Sequence, residues 1–154
     1  MSDATEILAR WQRLSRRPGG KWLFSVLVGR MARYTGTIRP RVEELRPGYA
    51  RVHMRDRALV RNHLRSVHAI ALMNLAEVAS GLAMLAAMPA NTRSILTGLS
   101  IDYLKKARGT LVAVSDFTPP ASGERQEHVI PAVIRDAAGD EVARAQARWL
   151  VGPR

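Results

Sequence analysis

The sequence predicts an α+β fold in which an antiparallel sheet wraps around one long central helix, with two extra helices at the N-terminus. Two observations carry that expectation. Ala69 to Met88, AIALMNLAEVASGLAMLAAM, is a run of twenty residues rich in strong helix formers, without Pro. Apolar side chains surround that helix on every face, so it must be covered on most sides. On either side of it the pattern changes to an alternation of period two, the signature of strands with one buried face. The run is long enough to cross a bilayer, but Glu77 stands near its middle, it has no flanking aromatic belt, and strand-like segments bracket it. Burial inside a sheet is the reading that fits, and no transmembrane segment is expected.

The chain's 154 residues suit a single domain, with residues 1–35 as a helical extension and 36–154 as the core. Hydrophobic residues make up 47% of it, which excludes wholesale disorder. There is no Cys, so disulfides, thiolate metal sites and a cysteine nucleophile are all excluded. The opening MSDATEIL lacks the basic-then-apolar order of a secretory signal, and a cytoplasmic location is expected. A net charge of +11 favours anionic partners: coenzyme A phosphates, an acidic carrier protein, a lipid surface or nucleic acid. The Arg residues are dispersed and not interleaved with aromatics, which argues against nucleic acid. The four histidines are scattered, so no metal site is expected.

In chain order, Ile7, Leu8, Trp11 and Leu14 give a first amphipathic helix, with Asp3 as N-cap and Glu6 three residues on. Arg16-Arg17-Pro18-Gly19-Gly20 breaks it. A second helix is expected from Lys21 to Tyr34; its apolar centre is too short to span a bilayer, so it packs on the sheet or lies on a membrane surface. Strands are then expected at Thr37 to Leu45 and Tyr49 to Arg55, joined at Pro47-Gly48. In the second of these, Ala50, Val52 and Met54 share the buried face. Beyond the central helix, Ser94 to Leu104 alternates through Ile95, Thr97, Leu99, Ile101 and Tyr103 as a third strand. Thr110 to Phe117 is the fourth. Arg125 to Arg135 and Glu141 to Val151 form a hairpin about Asp136–Asp140, with Pro131 marking an edge or a bulge. Ala143, Ala145 and Ala147 share a face that would let a helix lie close to the sheet.

The basic segment leading into the central helix, RNHLRSVHAIALMNLAE, places His68 six positions after Asn62 and Glu77 nine positions after His68. With the element order, this resembles the hotdog fold of acyl-CoA thioesterases, most closely the phenylacetate-type branch. The phrase PGGKWLFSVLVGRMARYTGT resembles a poorly characterised branch of the same superfamily. The resemblance implies an acyl-CoA or acyl-carrier-protein thioester hydrolase, assembled as a homodimer or homotetramer. It implies no cofactor beyond the coenzyme A of the substrate.

The chemistry fits that spacing. A thioester carbonyl becomes an oxyanion on attack, and free N–H groups at a helix start stabilise it. A helix beginning near His68 makes the Ala69 N–H such a donor. Asn62 can supply a side-chain amide. Glu77 is eight residues beyond Ala69, about 12 Å along the helix, so the two do not meet in one chain. By resemblance, the acid of one protomer serves the oxyanion site of the other, as general base or nucleophile. His68 then orients the loop, and Thr97 corresponds loosely to a water-orienting hydroxyl. Met73 and its neighbours would line the acyl pocket, while Arg61, Arg65, Lys105, Lys106 and Arg108 would meet phosphates. Two departures stand out. The family's His-Gly-Gly is His68-Ala69-Ile70 here, and Arg65-Ser66 replaces a glycine of the preceding loop. They motivate the alternative of a non-catalytic hotdog protein that binds acyl thioesters or fatty-acyl ligands.

Overall fold

The computed structural model describes residues 4–154 and the side chains from Glu6 onward, so the N-cap expected at Asp3 lies outside the described residues. Helix α1 (Ala4–Ser15) turns Ile7 and Trp11 into the core, as the spacing of its apolar residues requires. The chain reverses through Arg16–Gly19 and enters α2 (Gly20–Met31). Gly19 takes φ 72°, and a Cβ on Gly20 would lie 1.7 Å from the Leu14 carbonyl oxygen, so the turn needs both glycines. Trp11 and Phe24 then meet edge to face, ring centroids 5.1 Å apart, fastening α1 to α2.

The second helix is shorter than its sequence suggests. At Ala32 the backbone is extended (φ −118°, ψ 99°), which separates α2 from a single turn, α3 (Arg33–Gly36). A Cβ on Gly36 would fall 2.5 Å from the Gly29 carbonyl oxygen, so the two segments cross at a distance only glycine permits. Strand β1 (Arg41–Arg46) consequently starts four residues later than Thr37: Thr37 is still helical, Arg39 takes φ 49°, and Pro40 has no N–H to offer a ladder. The N-terminal helices therefore number three, not two.

The remaining strands are β2 (Tyr49–Met54), β3 (Thr92–Tyr103), β4 (Leu111–Asp116), β5 (Gln126–Arg135) and β6 (Glu141–Pro153). They form one six-stranded sheet in the order β1-β2-β4-β5-β6-β3, antiparallel throughout. Helix α4 (Ala69–Leu85) lies across it and touches every strand. Twelve of its seventeen residues are buried, and Leu72, Leu75 and Leu82 each contribute about 1.5–3 kcal/mol by leaving water. The small side chains of Ala143, Ala145 and Ala147 are buried, as expected of the close helix–sheet approach. Gly81 completes it: a Cβ there would come within 3.1 Å of the Trp149 ring, whose Nε1 donates to Ser80 Oγ at 3.3 Å.

One strand expectation is corrected and another is met. A bulge between Leu96 and Gly98 in β3 inserts an extra residue, which reverses the faces beyond it. Ile95 and Thr97 are therefore exposed while Leu99 and Ile101 pack on the core, and the five alternating residues do not share one face. Strand β5 lies between β4 and β6, but around Pro131 it pairs with β6 alone, so the proline sits on a local edge, as expected. Its ladder with β4 ends at the Val114–Val133 pair, short of the proline. Ser115 Oγ instead donates to the Pro131 carbonyl at 2.6 Å.

Candidate active site

The segment between β2 and α4 is irregular but tightly tied. A 3-10 turn over Ala58–Val60 leads to a loop closed by pairing of Arg61 with Val67. Asn62 organises this loop. Its Oδ1 accepts from the Leu64 N–H at 2.9 Å, the Ser66 N–H at 3.2 Å and Ser66 Oγ at 3.2 Å. Its Nδ2 has no acceptor among the described residues and is the group left for other work. Arg65 holds φ 55°, a left-handed conformation a glycine would adopt without strain. The loop thus keeps its glycine-like turn without the glycine.

His68 is the N-cap of α4, its Nδ1 accepting from the Ile70 N–H at 3.0 Å. The Ala69 N–H has no acceptor among the described residues. On its other side, Ala69 is pinned to β3, because Tyr103 Oη donates to its carbonyl at 3.0 Å. The facing wall is the corner after β3, fastened by the Val67 N–H to the Ala107 carbonyl at 2.8 Å. Asp56 bridges both walls: Oδ1 takes Arg61 Nε at 2.6 Å, and Oδ2 takes the Gly109 N–H at 3.0 Å. The Arg61 guanidinium holds the Asp56 carboxyl below the usual aspartate range. Between the walls runs a groove of about 360 Å³ lined by Asn62, Leu64, Ala69, Tyr103, Lys105 and Lys106, among others. Leu64, Ile70 and Leu104 are each about half exposed around it.

The structure thus brings together Asn62, Ala69, Lys105 and Lys106, with His68 shaping the helix start. The charge of Lys105 is already matched, by Asp136 Oδ2 and Asp140 Oδ2 at 2.7 Å each, and Arg61 is matched by Asp56. Arg65, Lys106 and Arg108 are exposed and make no ion pair among the described residues. Thr97 stands apart, on the outer face of the sheet, its hydroxyl 2.9 Å from Glu127 Oε2 and 3.1 Å from the Arg148 carbonyl. Sequence reasoning missed Tyr103 and Asp56 as parts of the groove. Their signal is slight: a tyrosine ending an apolar strand beside a basic corner, and a lone acid preceding an Arg-rich loop.

Glu77 is half-buried on α4, about 12 Å from Ala69 at 1.5 Å per residue, and outside the groove of its own chain. It continues the stripe of the helix that the sheet leaves uncovered: Ile70, Met73 and Glu77, spaced three and four apart. Its carboxyl has no hydrogen bond or ion pair among the described residues, and burial pushes it above the ordinary glutamate value of 4.5. Asn74, one turn before it, donates from Nδ2 to the Tyr34 carbonyl at 3.1 Å, while its buried Oδ1 has no partner among the described residues. A larger cavity, about 810 Å³, lies at the far end of α4 against Leu85, Met88 and Trp149. Loop amide, free helix N–H and lysines converge instead on the smaller groove.

A helix laid across a six-stranded antiparallel sheet in this order is the hotdog fold, shared with the solved structures that follow. A probable thioesterase from Pseudomonas aeruginosa superposes with TM-score 0.75 at 22% identity, over 83% of this chain and 92% of that one. A thioesterase family protein from Silicibacter pomeroyi gives TM-score 0.72 at 16% identity, over 84% and 96%. A crystal structure known as a structural-genomics target is similar over nearly its whole length: 35% identity, TM-score 0.83, 98% of this chain and 99% of that one. The chain belongs to the family described as a domain of unknown function, DUF4442, whose model matches residues 20–151. No curated protein matches it in sequence.

Proposed function

We propose that the protein hydrolyses acyl thioesters, with coenzyme A or an acyl carrier protein as leaving group, and that it works as a homodimer. The observation that carries the proposal is Glu77, a carboxylate held half-buried in an apolar stripe with no partner among the described residues. Keeping a charge there costs desolvation free energy and returns none in the monomer, which suits a base. The thioester carbonyl lies in the groove of one protomer, its oxygen toward the Ala69 N–H and Asn62 Nδ2. Glu77 of the partner takes a proton from water as the water attacks the carbonyl carbon. The oxyanion is stabilised by the Ala69 N–H at the positive end of α4. Collapse breaks the C–S bond, and the leaving thiolate takes up a proton. Ile70 and Met73 face the acyl chain, and Lys106, Arg65 and Arg108 meet phosphates.

The alternative, a protein that binds acyl ligands without turnover, is favoured by one observation: the His68 cap occupies the Ile70 N–H, a donor the helix start would otherwise offer. A thiol-release assay over short, long and aromatic acyl-CoAs and an acyl carrier protein decides between them, run beside Glu77→Gln. Turnover lost in the variant supports the hydrolase. A folded dimer that binds acyl-CoA and turns over nothing overturns it in favour of the ligand-binding reading.

A further inference from the structure

Helix α2 has no polar side. Phe24, Ser25 and Val28 face inward and are buried, as a packed helix requires. On the outward side Trp22 is 53% exposed, Leu23 42% and Met31 54%, and Tyr34 on α3 follows at 63%. A helix packed on one side normally presents charge to water on the other. Charge is present here, but as a rim. From Arg16 to Arg41 the chain carries seven Lys and Arg residues and no Asp or Glu. All seven are exposed, and none makes an ion pair among the described residues.

The rim also has a shaped recess. Trp22, Gly29, Arg30, Gly36, Arg39 and Arg41 line a cleft of about 380 Å³. Its floor exists because Gly29 and Gly36 carry no side chain where α2 and α3 cross. Arg57, held to the Thr37 carbonyl at 2.9 Å, sits near enough to Arg39 for the two guanidinium charges to repel.

We infer that the α2–α3 face docks on an anionic phospholipid bilayer. Helix α2 lies in the plane of the interface, with Trp22, Leu23, Met31 and Tyr34 in the headgroup–acyl boundary and a lipid phosphate in the arginine cleft. The chemistry selects this occupant. A second copy of the chain would bring seven cations against seven of like sign, which opposes self-association through this face. A bilayer offers apolar depth for the centre and phosphate for the rim, and Trp and Tyr are the side chains that sit at such a boundary. At twelve residues, α2 is too short to cross a membrane, so the contact is one of surface lying.

The test uses the full chain with vesicles of phosphatidylcholine, with and without phosphatidylglycerol, in sedimentation and in fluorescence with brominated acyl chains. Trp11 is buried and Trp149 lies partly buried against α4, so lipid quenching reports Trp22. The expected result is binding to the anionic vesicles, reduced by salt, with fluorescence quenching that disappears in Trp22→Phe. Replacing both Leu23 and Met31 by Ser should weaken binding by roughly tenfold or more, through lost apolar insertion. Failure to bind anionic vesicles at low salt overturns the inference. So does binding without quenching of Trp22, which would be attraction of overall charge alone. A change of oligomeric mass in the Leu23/Met31 variant would make the face a self-contact, and capture of an acidic carrier protein but not of vesicles would make it a protein dock; either result also overturns it.

Discussion

Helices α2 and α4 are both apolar nearly all round, and the fold treats them oppositely. Twelve of the seventeen residues of α4 are buried, against four of the twelve of α2. The reason is position. Helix α4 lies under the whole width of the sheet, whereas α2 packs mainly on α1, α3 and the edge strand β1. Each helix is left with one uncovered strip, and the strips differ in chemistry: Ile70, Met73 and a single carboxylate on α4, aromatics rimmed by arginine on α2. An apolar sequence thus says that a helix must be covered, not what covers it.

The largest expected effect sharpens the α4 strip. Glu77→Gln should lower kcat by about 10²- to 10⁴-fold, the range of a lost general base, while the protein still folds and dimerises. Unchanged turnover with any acyl-CoA would remove Glu77 from the mechanism. Next comes packing: Leu75→Ala should cost about 2–5 kcal/mol in denaturant unfolding, because Leu75 is fully buried. On α2, Leu23→Ala should stay within about 0.5 kcal/mol, and equal losses at the two sites would erase the contrast between the helices. A smaller effect is expected at Asp56, where Asp56→Ala should cost about 1–2 kcal/mol by releasing both walls of the groove. The folded carboxyl of Asp56 lies below its ordinary 3.8, so its contribution is complete above that value and is lost as pH falls through the lowered pKa. A wild-type-minus-variant stability difference that stays constant down to the acid range would contradict it.

The smallest effect is a matter of position on the pH axis. Burial raises the Glu77 carboxyl, and only the ionised form accepts a proton, so the acid limb of the kcat/KM profile should lie above pH 4.5. The same shift means that protonation favours the folded state, and this contribution fades as pH rises through the raised pKa. Glu77→Gln should therefore be slightly more stable than the wild type at neutral pH, as read by thermal unfolding.

Much of this was legible in the chain. The apolar run at Ala69–Met88, the alternation of Ala50, Val52 and Met54, and the alanines of β6 define a helix pressed on a sheet. The start of α4 at His68 was legible too, from motif spacing. The bulge at Thr97 was not, since one extra residue changes every side chain beyond it without altering the pattern of residue types. Nor was the break at Ala32, which a crossing of Gly29 over Gly36 imposes from a distance. Lys105 read as a phosphate contact by its basic neighbours, but Asp136 and Asp140, thirty-one and thirty-five residues away, already hold it.

The sequence by itself determined that one helix must be enclosed and that strands enclose it. Periodicity and helix propensity are local, and they act through neighbours a few residues apart. Only the tertiary structure decided which polar groups are used up and which remain. The bridge of Asp56 to Gly109, the tether of Tyr103 to Ala69 and the absence of a described partner for Glu77 depend on chain segments that only folding brings together or keeps apart.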